Sequence, residues 1–226
     1  MPIDDSSSRI AVFDFCETVA DFQTATAFVD YVRENSKKTS VRLWHALYVI
    51  MLKSQLIRIM DGLTGHRYSI SKHIKLWQLR GLAQEQIQTI AERFYNERVE
   101  PHLIKVVVSK MQNLQREGYK VGLSSGGYGV YLKFFVEKYG LDFCHCSEIQ
   151  FRNERCMGKM EGKDCMREEK TRRLNRSFGP SPTGSVAFSD SESDLPLLLW
   201  ADKGVVVSRG FHQKWIEKYK FIEIIW

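Results

Sequence analysis

Short apolar strands alternate with helices along the second part of this chain, and no other feature constrains its fold as strongly. After Pro101 we expect, in chain order, a helix ending at Gly118, a strand over residues 119–124, a helix over 130–139, a strand near Phe143, a hairpin at Asn153 and Glu154, a helix after Asp164, and strands over 186–189 and 205–208. This alternation predicts an α/β fold with a mostly parallel sheet, covered by helices on both faces. Ligands of such sheets bind at the carboxyl ends of the strands.

A long helical block separates the first predicted strand from the rest. Residues 9–15, R-I-A-V-F-D-F, have the β-branched and aromatic composition of a buried strand. From about residue 22 to residue 99, apolar residues recur at helical spacing, and Gly62, Gly65 and Gly81 divide this block into roughly four or five helices. We interpret its aromatic and methionine-rich stretch, residues 43–60, as helix packing rather than as a lipid-binding surface. Pro101 is expected early in the helix that follows.

Composition places the chain among globular proteins without a membrane span. Of its 226 residues, 43% are hydrophobic, which is enough for one buried core. The longest apolar run, residues 46–52, is far shorter than the roughly 18 to 20 residues that a bilayer-spanning helix needs. The N-terminus has Asp4 and Asp5 where a signal peptide would be basic, and an odd set of five cysteines suits a reducing compartment. We therefore expect a soluble, cytoplasmic protein.

A mild excess of basic residues favours anionic partners. Lysine and arginine number 33 and aspartate and glutamate 27, so the formal net charge is +6. This excess permits nucleic-acid binding without pointing to it, and we expect no nucleic-acid partner. The helical block shares the positive balance, and we interpret its basic side chains as solvated helix faces: Arg42, Lys53, Arg58, Arg67, Lys72 and Lys75.

Cys144, His145 and Cys146 have residue types that zinc binds. Alternate residues of a strand, however, point to opposite sides, so the two sulfurs would lie on one side and the imidazole on the other. No second close pair of ligands follows along the chain. We therefore interpret Cys144 and Cys146 as buried strand cysteines.

Four polar clusters follow predicted strands or lie near a helix start: residues 14–18, residues 124–127, Lys170, and residues 190–194. Together they contain the groups that a site for a phosphate and a divalent cation requires. Asp14 is suited to act as a nucleophile, as a magnesium ligand, or as both. Ser125 and the amides of Gly126 and Gly127 would hold phosphate oxygens at a helix N-terminus, and Lys170 would neutralise charge. Asp190 and Asp194 would hold the cation.

In their order and spacing, these clusters resemble the four motifs of the haloacid dehalogenase superfamily, particularly its phosphoserine phosphatase-like branch. The matching segments are V-F-D-F-C-E-T-V, G-L-S-S-G-G-Y, G-K-D-C-M-R-E-E-K-T-R-R-L and F-S-D-S-E-S-D-L-P-L-L. The resemblance covers nearly the whole chain. It implies a Rossmann-like α/β core of residues 1–19 and 100–226, with an all-helical cap of residues 20–99 inserted between the first two motifs.

The resemblance also implies a phosphomonoester hydrolase that uses Mg²⁺ and acts on a small-molecule phosphate ester. Asp14 would be the nucleophile that becomes an aspartyl phosphate, and Lys170, preferred over Lys163, would bridge Asp14 and the phosphate. The phosphate-binding residues would be Thr18, Ser125, Gly126 and Lys170. The magnesium site would consist of Asp14, the main-chain carbonyl of Cys16, Asp190, and Asp194 as an outer-shell partner.

Position 16 departs from the family pattern. Phosphatases of this family have an aspartate there, which acts as general acid and then as general base. The thiol of Cys16 has a reference pKa of about 8.5 and is a feeble base near pH 7. The change costs roughly a hundred- to ten-thousand-fold in rate unless another group replaces it. Glu17 is the nearest carboxylate, although an adjacent side chain in a tight loop ordinarily points elsewhere.

These departures leave the reaction and the substrate open. Phosphoryl transfer to an acceptor other than water, and a catalytically weakened phosphate-ligand-binding protein, are the alternatives to hydrolysis. Relatives specific for phosphoserine have a glutamate nine residues after the nucleophile, where this chain has Gln23. The resemblance therefore disfavours phosphoserine and favours a phosphorylated sugar or another small metabolite.

Overall fold

The computed structural model describes residues 9–36, 46, 49, 50 and 70–226, and within them a seven-stranded sheet forms the centre of the molecule. Its strands are β1 (Ile10–Phe13), β2 (Lys120–Tyr128), β3 (Phe143–Arg152), β4 (Arg155–Glu161), β5 (Val186–Ser189), β6 (Lys203–Ser208) and β7 (Ile222–Ile225). They are arranged in the order β4-β3-β2-β1-β5-β6-β7, and every neighbouring pair is parallel except β3 and β4. The predicted α/β class with a mostly parallel sheet is confirmed.

β1 lies at the middle of the sheet, between β2 and β5, and all four of its residues are buried. Phe13 is opposite Leu123 on one side and Phe188 on the other, and the Phe13 and Phe188 rings stack with centroids 4.1 Å apart. A strand enclosed on both faces and both edges needs apolar residues at every position, which explains the unbroken run I-A-V-F.

Helices cover the sheet and form the described part of the block after β1. They are α1 (Thr24–Asn35), α2 (Ile70–Trp77), α3 (Gln84–Phe94), α4 (Lys105–Arg116), α5 (Gly129–Tyr139), α6 (Glu168–Phe178) and α7 (Leu195–Trp200). A π-helical turn follows α3 at Tyr95–Val99, and 3₁₀ turns lie at Glu100–His102, Glu192–Asp194 and Lys214–Tyr219. Nearly all of the stretch 43–60, and Arg42, Lys53, Arg58 and Arg67, lie outside the described residues. Among the helices of the described chain, none is both long and apolar enough to cross a membrane.

The chain enters and leaves this helical block through two backbone segments that are bonded to each other. Ala20 forms an antiparallel bridge with Leu103, and the amide of Ile104 donates to the carbonyl of Val19 at 2.8 Å. These bonds hold residues 103 and 104 in extended conformation. The expectation that Pro101 lies early in the following helix is therefore wrong: Pro101 belongs to a 3₁₀ turn, and α4 begins at Lys105. The predicted end of that helix is confirmed, since Gly118 has φ +83°.

The Ser-Gly-Gly segment belongs to a strand rather than to a turn that opens a helix. β2 continues through Ser125, Gly126 and Gly127 to Tyr128, although its register with β3 shifts between Ser125 and Tyr128. Close packing explains both glycines, because a Cβ atom on Gly126 would lie 2.8 Å from Met166 Cγ and one on Gly127 would lie 2.8 Å from the Tyr131 hydroxyl. The predicted turn is thus corrected to an irregular strand end, and α5 starts at Gly129.

The predicted β3–β4 hairpin is confirmed, and of the two cysteines interpreted as buried strand residues Cys146 is buried whereas Cys144 is only partly buried. Asn153 and Glu154 form the turn with φ +46° and +57°, the left-handed values that a two-residue hairpin requires. Cys146 Sγ lies 3.1 Å from Glu148 Oε1, whereas His145 Nε2 contacts the Ser177 hydroxyl at 3.1 Å. All five cysteines are free thiols. The edge strand β7 was not predicted.

Candidate active site

A cleft of about 210 Å³ lies where β1, β2 and β5 end. It brings together all of the residues that the sequence analysis placed in a phosphate and metal site except Thr18 and Gly127. The lining includes Asp14, Cys16, Ser125, Gly126, Lys170, Asp190 and Asp194. Thr18 does not line the cleft but bonds to Asp190 from behind. The carboxyl ends of parallel strands therefore assemble the four polar clusters in one place, as expected for an open α/β sheet.

Asp14, Lys170 and Asp194 form a buried charge cluster at the bottom of the cleft. Lys170 Nζ lies 2.9 Å from Asp14 Oδ1 and 2.5 Å from Asp194 Oδ2, and the lysine side chain is 3% exposed. Burial raises the pKa of the Asp14 carboxyl; the Lys170 ammonium opposes this rise and the Asp194 carboxylate adds to it. Burial also lowers the pKa of Lys170, but the two carboxylates outweigh it and raise that pKa above its usual value. Lys170 is therefore held as an ammonium between two acids.

Helix α6 positions Lys170 in its first turn. Glu169, next to it, is held by Arg172 and Arg173, whose guanidinium nitrogens lie 2.5 and 2.9 Å from Glu169 Oε1. Arg173 also donates to the main-chain carbonyls of Cys146 and Lys163, which fastens the helix to β3 and to the segment that follows β4. Lys163, the rival of Lys170, is exposed and does not line the cleft.

Thr18 orients Asp190. The Thr18 hydroxyl donates to Asp190 Oδ1 at 2.9 Å and accepts from the Asp190 amide at 2.9 Å. Burial raises the pKa of Asp190 to about 7, and the neighbouring Asp14 and Glu17 carboxylates add to the rise, although the Thr18 hydroxyl opposes it. Because the one hydroxyl proton of Thr18 is given to Asp190, the structure places Thr18 behind the acid rather than against the space where a phosphate would bind.

The oxygen atoms at this point suit a hard divalent cation. Asp14 is buried and Asp190 is half-buried, and the Asp14 carboxylate raises the pKa of Asp190 by charge repulsion, which a cation between the two acids would relieve. In the described part of the chain no three His, Cys, Asp or Glu side chains are grouped to hold a metal. A ligand set of the kind that Mg²⁺ commonly takes would combine the Asp14 and Asp190 carboxylates with the Cys16 carbonyl and water. Asp194 Oδ2 is instead bonded to Lys170 and to the Ser189 hydroxyl.

The side chain of Cys16 is directed toward the helical block. Its Sγ lies 3.1 Å from Thr24 Oγ1, and that hydroxyl lies 2.7 Å from the Tyr131 hydroxyl in the core. Burial raises the pKa of the Cys16 thiol, and the Asp14 carboxylate raises it further. Near neutral pH the thiol is therefore protonated and a poor proton acceptor.

Glu17 and Gln23 line the cleft side by side. Glu17 has φ +59°, a left-handed conformation that is uncommon for a residue with a side chain, and the Gln23 amide nitrogen donates to its carboxylate. Glu17 thus contributes to the cleft lining from a left-handed turn, and its part in proton transfer stays a prediction. Local sequence did not reveal this turn, because glutamate is not a residue type that favours positive φ.

The interpretation of two lysines of α2 is also corrected. Lys72 and Lys75 are not solvated helix-face residues, since their side chains are 10% and 9% exposed and each pairs with an aspartate. Lys72 lines the cleft and Lys75 does not. Sequence reasoning missed Lys72 as a functional residue, and its one signal was the positive charge balance of the helical block.

Comparisons with known proteins agree with this geometry. A family model for haloacid dehalogenase-like hydrolases matches residues 11–199. Over 151 residues the chain is 28% identical to the phosphoserine phosphatase of Archaeoglobus fulgidus, a match that covers 66% of this chain and 41% of that relative. The chain thus spans less than half of the length of this relative.

Solved structures share the fold over almost the whole chain. A protein with unknown function from Bordetella pertussis Tohama I superposes with a TM-score of 0.76 at 16% identity, covering 96% of this chain and 98% of its own. A phosphoserine phosphatase with an analogue of its phospho-aspartyl intermediate superposes with a TM-score of 0.61 at 17% identity, covering 97% and 93%. At these identities the likeness shows a common fold.

Proposed function

The chain belongs to the haloacid dehalogenase-like hydrolases, and from that membership we propose that it is a magnesium-dependent phosphomonoester hydrolase that forms an aspartyl phosphate on Asp14. Its substrate class would be small anionic phosphometabolites. The observation that carries the proposal is the pair of Asp14 and Lys170, 2.9 Å apart at the bottom of a cleft that also contains Ser125 and Asp190. A buried carboxylate next to a fixed ammonium is suited to attack phosphorus while the developing charge is neutralised.

The reaction would proceed in two displacements. In the first, an Asp14 oxygen forms a bond to phosphorus as the bond from phosphorus to the leaving oxygen breaks, and the leaving oxygen takes up a proton. In the second, water attacks phosphorus, loses a proton, and frees the Asp14 carboxylate. Lys170 would stabilise the equatorial oxygens in both steps, and the Ser125 hydroxyl would bind one of them. When bound by Asp14, Asp190 and the Cys16 carbonyl, Mg²⁺ would supply further neutralisation of phosphate charge.

Both displacements need a proton carrier, and Glu17 is better placed for it than Cys16. Both residues line the cleft, but the Cys16 thiol is buried against Thr24 with a raised pKa, whereas Glu17 is an exposed carboxylate. We therefore assign the acid and base role to Glu17, held by Gln23. The buried, neutral thiol also supports a second candidate function. If Glu17 does not replace the missing aspartate, the aspartyl phosphate would be long-lived, which suits phosphoryl transfer or phosphate-ligand binding.

We also propose a division of the chain into a catalytic core and a cap. Residues 1–19 and 100–226 would form the catalytic core, and residues 20–99 a helical cap over the cleft. The bonded crossings at Ala20 and Leu103 support this division, as does the presence of Ala25, Thr26 and Lys72 in the cleft lining. The partner would be a small phosphate ester. The cytoplasmic location that cysteine usage predicts remains a prediction.

An assay with p-nitrophenyl phosphate tests the hydrolase proposal. Turnover in the presence of Mg²⁺ should disappear with a chelator and with Asp14→Asn, whereas Asp21→Asn, which lies outside the cleft beside His102, should keep it. A panel of phosphorylated metabolites would then identify the substrate. No detectable turnover, together with retained binding of phosphate esters, would replace the hydrolase proposal with the binding protein.

A further inference from the structure

Lys72 reaches from α2 to the end of β2 and makes two short polar contacts there. Its Nζ donates to the main-chain carbonyl of Gly126 at 2.5 Å and lies 2.6 Å from Asp164 Oδ1. The ammonium also lies 5.1 Å from the centre of the Tyr128 ring. With 10% of its side chain exposed, Lys72 is a nearly buried cation with a fixed position beside the phosphate-binding segment.

The carbonyl that Lys72 binds belongs to the same planar peptide unit as the amide of Gly127. That amide donates to Ser125 Oγ at 3.2 Å. Because a peptide unit is rigid, holding its oxygen also fixes the direction of its N–H group. A serine oxygen that accepts a hydrogen bond still has its own proton to donate. The contact of Lys72 with Gly126 therefore helps to orient Ser125 as a donor.

The half-buried Asp164 holds the other side of Lys72. Its carboxylate accepts from the Ser147 hydroxyl, and Ser147 Oγ accepts from the amide of Cys165 at 3.0 Å. Met166 packs against Gly126 and leaves no room for a Cβ atom there. The Gly126 peptide is thus held by Lys72 from α2 and by Met166 from the loop before α6.

We propose that Lys72 is a positioning residue for phosphate binding, acting through the Gly126–Gly127 peptide on Ser125. This inference rests on the proposed phosphatase function, in which Ser125 binds the transferred phosphoryl group. It assigns to α2 a second task besides covering the cleft, which is to set the hydrogen-bond direction of a residue on the sheet.

Lys75 provides a matched control on the same helix. It is as buried as Lys72, and its Nζ lies 2.5 Å from Asp30 Oδ2, but it does not line the cleft. Lys72→Met and Lys75→Met therefore remove ion pairs of similar length and burial, and only the first removes a contact with Gly126. Lys72→Arg keeps a charged donor, so it should rescue part of the loss.

The experiment measures the affinity of inorganic phosphate by calorimetry with Mg²⁺ present, together with KM and kcat for p-nitrophenyl phosphate. We expect Lys72→Met to weaken phosphate binding and raise KM by about ten-fold, with Lys75→Met unchanged and Lys72→Arg in between. Hydrogen exchange at the Gly127 amide should accelerate in Lys72→Met alone. Unchanged phosphate affinity and exchange in Lys72→Met, or an equal change in Lys75→Met, would overturn the inference.

Two further measurements separate the possible failures. If Lys72→Met does not fold, Asp164→Asn keeps the lysine and loosens its anchor, and a smaller loss of phosphate affinity, about two- to three-fold, is expected. An unchanged affinity in that folded variant would count against the inference. If wild-type protein binds phosphate but shows no turnover, the hydrolase proposal fails while the phosphate titration still decides the role of Lys72.

Discussion

Replacing Cys16 with aspartate should increase hydrolysis of a phosphate monoester at pH 7 by about ten-fold or more. The wild-type thiol is buried, contacts the Thr24 hydroxyl at 3.1 Å, and has a pKa raised by burial and by Asp14. It therefore neither donates nor accepts a proton readily. A carboxyl at this position would experience the same burial and the same neighbour, which raise its pKa toward the neutral range where acid and base catalysis is most effective.

The size of the gain follows from two opposing effects. A positioned acid and base is worth roughly a hundred- to ten-thousand-fold, but Glu17, the proposed proton carrier, lines the cleft and would already supply part of that gain. Ten-fold corresponds to about 1.4 kcal/mol of activation free energy. A second buried acid near Asp14 also destabilises the fold, so the variant should unfold at a lower temperature than wild type even as it turns over faster.

The assay pairs steady-state rates with intact-mass measurement after acid quench. If attack of water is the slow step, wild-type protein should accumulate one phosphate on Asp14 during turnover, and Cys16→Asp should accumulate much less. Cys16→Asn is the control, because it has nearly the shape of aspartate but does not exchange a proton. The double variant with Asp14→Asn should form no adduct.

A rate for Cys16→Asp at or below wild type, with no adduct in either protein, would refute this reasoning. Position 16 would then be irrelevant to proton transfer, or adapted to a different leaving group. An equal gain in Cys16→Asn would show that removing the thiol, rather than adding an acid, causes the effect.

Three other predictions use neighbouring contacts. Glu17→Gln should lower the hydrolysis rate by about ten-fold or more with inorganic phosphate affinity unchanged, and equal rates would remove Glu17 as proton carrier. Thr18→Val should weaken Mg²⁺ binding in a titration, since it removes the hydroxyl that orients Asp190, and unchanged affinity would contradict that role. Arg172 and Arg173 hold the pKa of Glu169 at about 2, so its ionised form stabilises the fold above pH about 4.3 and this stabilisation is lost as pH falls toward 2. Glu169→Gln should therefore cost about 1–2 kcal/mol in urea unfolding at pH 7, allowing for the exposure of Arg172, and little at pH 2; a constant difference would refute the linkage.

Periodicity and strand-end chemistry predicted most of the core. The run I-A-V-F, the glycine at 118 and the turn at Asn153 are local signals, and each has the predicted structure. The predicted secondary structure is wrong at Pro101 and at the Ser-Gly-Gly segment, because tertiary contacts determine the backbone conformation there. Leu103 pairs with Ala20 in an antiparallel bridge, and Met166 and Tyr131 pack on the glycines. The strand β7 completes an edge and offers a short sequence with half-exposed isoleucines, which gives little signal by itself.

The sequence predicts those site residues that lie at the end of a strand. It does not predict those that a distant element brings to the cleft. Asp14, Ser125 and Asp190 belong to the first kind, because strand order brings them to one edge. Glu17 depends on a left-handed backbone turn, and Lys72 on the packing of a helix far away in sequence. Glutamate and lysine are also the commonest charged residues of exposed surfaces, so composition and spacing do not distinguish Glu17 and Lys72 from surface residues.

The antiparallel bridge between Ala20 and Leu103 has a consequence for how proteins of this family can diversify. Because the two ends of the intervening segment are hydrogen-bonded neighbours, the sheet does not depend on how many residues lie between them, and closing a longer loop costs only slowly increasing entropy. If the segment between them selects the substrate, as proposed above, it could be replaced at this junction while the strands and their carboxylates stay in register. A chimera joined at these two residues would inherit the chemistry of one parent and the selectivity of the other.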